Sequence, residues 1–161
     1  MGWINLSTRP IYCDILEESF NFCIERKGLR LFANCIMPSP GQERHMHLIG
    51  SSEKRFSELL RDLKSHTVRR FIHEAENNPQ ESRSDWLLHV FKYHAKYKAS
   101  NETYQVWIHN NRPIDFTSNP QWYDQKMQYI YDNPVKARMV DVAEDYVRCS
   151  FYPLCPVKIE S

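Results

Sequence analysis

Nowhere in the 161 residues is there an apolar run long enough to span a bilayer. The opening MGWINLSTRP lacks the basic-then-apolar order of a signal peptide. The expectation is a soluble, intracellular protein with no membrane partner. CxxC pairing is missing as well: the five cysteines, Cys13, Cys23, Cys35, Cys149 and Cys155, are odd in number and scattered. That argues against a disulfide framework or a zinc ribbon and for reduced, mostly packed thiols. An excess of one charge is missing too. Lysine and arginine number 21 against 20 acidic residues, a net charge of +1, so nucleic acid could be held only by a local basic face and not by bulk electrostatics. There is no internal repeat, low-complexity tract or linker, and the length suits one domain over 1–161 with a real core.

What is present divides into readable elements. Pro10 to about Lys27 carries Ile15, Leu16, Phe20, Cys23 and Ile24 at helical spacing, with proline in the first turn and Gly28 as a stop. LRLFANCIM alternates, Leu29, Leu31, Ala33, Cys35 and Met37 on one face and Arg30, Phe32, Asn34 and Ile36 on the other, as a strand does. After the breaker PSPGQER, HMHLIG reads as a second strand, and the two should pair antiparallel. A long amphipathic helix from Lys54 to about Asn77 and another from about Ser84 to Tyr97 follow. YQVWIHNNRPIDF is turn-rich. Ser118 or Asn119 could cap a helix entered through Pro120 and ended near Asn133 by Pro134, and YVRCSF reads as an edge strand. This order reads as an α+β domain in two layers.

Within these elements His45 and His47 stand two apart on a strand, so both imidazoles point to one face, the spacing of a metal-ligand pair. The plain alternative is two histidines on a half-exposed strand face. Two imidazoles leave a metal incompletely ligated, and an oxygen ligand must come from elsewhere. Asn133 is a candidate, about one helical turn after Tyr129. Tyr129 is a candidate nucleophile; Tyr131, two residues on, points to the opposite side of the helix, and only one of them can face the metal. A tyrosine hydroxyl is protonated at neutral pH, so as a nucleophile it needs a base or a metal that polarises its target. Without these partners either tyrosine would read as a core aromatic with its hydroxyl at the rim.

Basic residues cluster at Lys54, Arg55, Arg61, Lys64, Arg69 and Arg70, and again at Lys92, Lys96 and Lys98 among Tyr93, His94 and Tyr97. Such mixtures suit phosphate contact and base stacking. Taken alone they read as solvated helix faces.

The combination of IMP…HMHLI with QKMQYIYDNPVKARMV…EDYVRCS resembles the single-tyrosine HUH transposases, in particular the REP-associated tyrosine transposase branch of the IS200-like family. The resemblance extends over most of the chain, and its most specific element is YIxxNPVKA downstream of HxH. It implies a ferredoxin-like two-layer sandwich, an antiparallel sheet covered by helices. It also implies that His45 and His47 are metal ligands, Tyr129 the nucleophile and Asn133 a further ligand. The implied chemistry is transfer of single-stranded DNA through a 5′-phosphotyrosine, with Mg²⁺ or Mn²⁺ and recognition of hairpin ends, in a cytoplasmic, nucleoid-associated protein that could act as a homodimer. Lys54, Arg55, Arg61, Lys64, Arg69 and Arg70 then become candidates for DNA-backbone contact. Relatives run almost directly from MPN into the first histidine, whereas PGQER intervenes here, and they carry a longer stretch before GWINLSTR; a shortened first strand is therefore expected. These departures motivate a rival reading, a catalytically silent DNA-hairpin-binding protein. A third, a small metalloprotein hydrolysing another substrate, gives Tyr129 no role.

Overall fold

The computed structural model describes residues 2–3, 9–37, 44–53, 55–96, 103–107, 114–116 and 119–160. In chain order the elements are β1 (Gly2–Trp3), α1 (Pro10–Lys27), β2 (Leu29–Met37), β3 (Arg44–Ser52), α2 (Phe56–Asn77), α3 (Ser84–Lys96) and α4 (Gln121–Lys136), then a 3-10 turn at Ala143–Asp145. Helix α1 begins with Pro10, whose missing N–H costs nothing in a first turn, and ends on Gly28 at φ 72°, a left-handed cap that glycine adopts without strain. The sheet is antiparallel, in the order β1-β3-β2. Because β1 and β2 both run against β3, they are parallel to each other, with α1 as their crossover and β3 between them: a split β-α-β unit. The fold is thus a mixed α+β domain with a small antiparallel sheet against several helices. Among the described residues no helix is long and apolar enough to cross a membrane.

Two apolar clusters lie on opposite faces of the sheet. One joins α1, α2 and α3 to Leu31, Ile36 and Met46, with Leu48 against it. The other joins Ile130 of α4 and the C-terminal Tyr146 and Cys149 to Ala33, Cys35, Met37 and Ile49. Strict alternation along β2 does not hold. The register slips between Leu31 and Ala33, and Phe32 and Ala33 both belong to the α4 side while Leu29 and Leu31 belong to the other. The extra residue is a bulge, which reverses the facing of everything after it. Gly50 lies opposite Leu31 there, and a Cβ on it would sit 2.8 Å from the Arg30 carbonyl oxygen, so the close approach of the strands requires glycine.

Helix α4 also differs from the expected ending at Asn133: it runs to Lys136 with Pro134 inside it. Proline removes one N–H near the last turn, but Ala137 N–H still donates to the Asn133 carbonyl and Met139 N–H to the Pro134 carbonyl, so the turn closes around the buried ring. At the other end the Asn119 side-chain oxygen accepts from Gln121 N–H at 3.2 Å, the expected local cap; Ser118 lies outside the described residues. The YVRCSF segment makes one antiparallel bridge, Cys149 to Cys35, and otherwise lies in turns.

Candidate functional site

On β3, Met46 is buried toward α1 and α2, so the pleat turns His45 and His47 to the α4 side beside Met37 and Cys35, their register partners. The imidazoles are edge to face, ring centroids 4.8 Å apart at 78°. Tyr129, reaching down from α4, stands edge-on to His47 with centroids 5.2 Å apart at 88°. Tyr129 as a whole is 44% exposed, so its packing on histidine leaves much of the residue open to solvent. Tyr131 turns the other way. It packs on Phe151 and donates its hydroxyl to Glu144 Oε1 at 2.8 Å, an acceptor that pushes the phenol above its ordinary value. Helix phase thus turns Tyr129, and not Tyr131, toward the histidines.

His47 is half-buried, with its Nε2 enclosed. Burial, with the neighbouring His45 and Lys126, lowers its pKa to about 4, so the ring is neutral at ordinary pH. Its Nε2 is buried with no hydrogen-bond partner. A neutral imidazole with an unsatisfied buried nitrogen is the form that ligates a metal, and an orphaned buried nitrogen needs a partner of some kind. His45 and His47 are thus two donors of the kind that a divalent cation would take, and they do not by themselves complete its ligand set. Asn133 is on the same helix as Tyr129, but its side-chain nitrogen donates to the Tyr129 carbonyl at 2.9 Å, which engages the amide along the helix itself. Among the described residues no group of three or more histidine, cysteine, aspartate or glutamate side chains could hold a metal.

Lys126, not singled out by the sequence, completes the setting. Its ammonium lies 5.6 Å from the centroid of the Tyr129 ring, one turn earlier on α4. The signal was available in the i, i+3 spacing of a lysine and the candidate tyrosine on one helix.

The expected DNA-contact residues are not gathered at this site. Helix α2 packs on the other face of the sheet, so its basic residues lie in the opposite layer. Arg70 is paired with Glu18 at 2.6 Å, Arg61 lies 3.4 Å from Asp62, and Arg69 Nε donates to the Ser65 carbonyl at 3.3 Å. Lys64 lies over the Trp107 ring at 5.7 Å. Arg55 is exposed at the start of α2, and Lys54 lies outside the described residues. Between α2 and residues 103–107 is a cavity of about 1080 Å³, with Leu60, Val68, Ile72 and Trp107 in its wall and Arg61, Lys64 and Arg69 among its lining. Lys92 of the second cluster lies 5.5 Å over the Tyr104 ring, whereas Tyr97 and Lys98 lie outside the described residues. Comparison of the chain with protein-family models, curated proteins and solved structures finds no match.

Proposed function

We propose that the protein is a metal-dependent strand transferase for single-stranded DNA, of the single-tyrosine HUH type, on a ferredoxin-like sandwich of which the split β-α-β unit is the first half. The observation that carries this reading is the meeting of Tyr129 with His47 across the α4–β3 interface, beside His45. Tyr129 and the histidines are far apart in sequence, and an exposed tyrosine packed on an imidazole whose Nε2 is buried without a hydrogen-bond partner is an arrangement that ordinary core packing does not require.

In the proposed step the Tyr129 oxygen attacks a phosphodiester phosphorus. The new O–P bond leaves the 5′ side attached to tyrosine, and the P–O3′ bond breaks, with the departing 3′ oxygen taking up a proton. His45 and His47 would hold Mg²⁺ or Mn²⁺, which supplies Lewis-acid polarisation of the phosphate when bound. Packing against His47 limits the tilt of the Tyr129 ring, so its oxygen is presented from a fixed direction. Rejoining is the same step in reverse, with the 3′ hydroxyl of another strand as nucleophile.

A second reading is favoured by a different observation: the basic residues of α2 and the Trp107 cavity lie in the opposite layer from Tyr129. A DNA-hairpin-binding protein with a silent site would need only that layer. Incubation with labelled hairpin oligonucleotides and Mn²⁺, followed by a denaturing gel, separates the two. The transferase gives a protein-linked fragment that Tyr129→Phe and chelator both abolish; hairpin binding with no adduct under any metal would establish the silent binder instead.

A further inference from the structure

Cys35 of β2 and Cys149 of the C-terminal segment are direct partners in an antiparallel bridge. Ile36 N–H donates to the Arg148 carbonyl at 2.9 Å and Ser150 N–H to the Asn34 carbonyl at 2.8 Å, so the bonds flank the pair on both sides. That makes residues 35 and 149 a non-hydrogen-bonded pair, the closer of the two antiparallel kinds, with Cα atoms about 4.5 Å apart. The spacing lies inside the range that a disulfide tolerates. Both side chains are fully buried in the cluster beneath α4. Cys13 and Cys23 lie in the other cluster, and Cys155 packs against it.

We propose that Cys35 and Cys149 are an oxidation site that closes to a cross-strand disulfide in the presence of a peroxide. The Cys149 sulfur attacks one peroxide oxygen, the O–O bond breaks and a sulfenic acid forms with loss of water. The Cys35 sulfur then attacks the sulfenic sulfur, the S–O bond breaks and a second water leaves. Two thiols and hydrogen peroxide thus become one disulfide and two waters, the sulfurs losing two electrons and the peroxide gaining them. Cys149 reacts first because it lies on a segment outside the named strands, whereas Cys35 is held within β2 by its pairing with β3. Peroxide reaches the pair through a local opening of the segment, which lies in turns on either side of the bridge and is held by the Tyr146 hydroxyl on the Ile36 carbonyl and by Arg148 on Asp14 and Glu17. Cys35 is also the register partner of His47, so the bond would form one strand away from the candidate site.

The test is a peptide map of the folded protein after peroxide treatment, acid quench and alkylation in denaturant. The expected result is a linked Cys35–Cys149 peptide that dithiothreitol removes and Cys149→Ser abolishes but Cys155→Ser does not, with a rise in the thermal midpoint that the reductant reverses. Recovery of both cysteines as free thiols, linkage of any other pair, or oxidation that stops at a sulfinic acid or at Met37, whose sulfur is 3.4 Å from Cys35 Sγ, would overturn the proposal. The wild-type map decides the question even where a serine variant does not fold.

Discussion

Tyr129 stands perpendicular to His47, ring centroids 5.2 Å apart at 88°, and this contact joins the helical half of the candidate site to the strand half. The contact uses the ring and not the hydroxyl. Tyr129→Phe should therefore keep the packing, shift stability by no more than about 0.5 kcal/mol and leave metal affinity unchanged, while removing all covalent DNA product. Thermal denaturation, metal titration calorimetry and the adduct gel together check this. A variant that lost metal binding along with the adduct would make Tyr129 a structural or ligating residue and not the nucleophile.

Burial of a neutral His47 makes stability depend on pH in a defined direction. Its folded pKa of about 4 lies below the unfolded value of 6.5, so the unfolded chain binds the extra proton. The stabilising contribution is complete above 6.5 and is lost as the pH falls toward 4. Allowing for partial solvent access, the loss from about pH 7 to about pH 5 should be about 1–2 kcal/mol. Urea denaturation with chelator present measures it. His47→Gln should flatten this part of the profile, and an unchanged slope in that variant would assign the pH dependence to other groups.

The legible parts of this molecule are those fixed by local chemistry. Pro10 and Gly28 bound α1 because one lacks an N–H and the other tolerates positive φ, and both facts are visible in the chain. The β2–β3 pairing and the common facing of His45 and His47 follow from a short connection and a two-residue period. The bulge at Phe32 was not legible, because it depends on how closely Gly50 lets the strands approach across the sheet. Nor was the continuation of α4 through Pro134, where a buried ring position outweighs the local preference to stop. The separation of the basic residues of α2 from Tyr129 was hidden for a different reason: periodicity says which helix face is apolar, not which face of the sheet receives it.

Arg148 ties the C-terminal segment to α1, its Nη1 lying 2.6 Å from Asp14 and 2.7 Å from Glu17. Glu17 is only 5% exposed, and its burial raises the carboxyl above its ordinary value, an effect that Arg148 opposes. Removing the guanidinium leaves a buried carboxylate without its cation. Arg148→Met should cost about 2–4 kcal/mol, and adding Glu17→Gln should recover a large part of that. A double-mutant cycle by chemical denaturation measures the coupling, and additive effects would show that the pair contributes nothing beyond its separate contacts.

Because α2 and Tyr129 occupy opposite layers, the basic residues of α2 should affect how DNA is held and not how it is cut. Arg61 and Lys64 line the cavity beside Trp107, and neither is near the ring contacts that define the site. Replacing both by glutamine should weaken hairpin binding and reduce the dependence of log affinity on log salt by about 0.7 for each phosphate that is no longer neutralised. The rate of adduct formation at saturating DNA should remain within about twofold, since no interaction confined to the transition state has been removed. Lys126→Met makes the contrast, because its ammonium lies 5.6 Å from the Tyr129 ring and a developing phosphate charge there would feel its loss. It should slow the saturated rate by about tenfold or more while changing affinity little. If the α2 double variant slowed the saturated rate and Lys126→Met did not, the strand would have to be cut in the α2 layer, and Tyr129 would lose its assigned role.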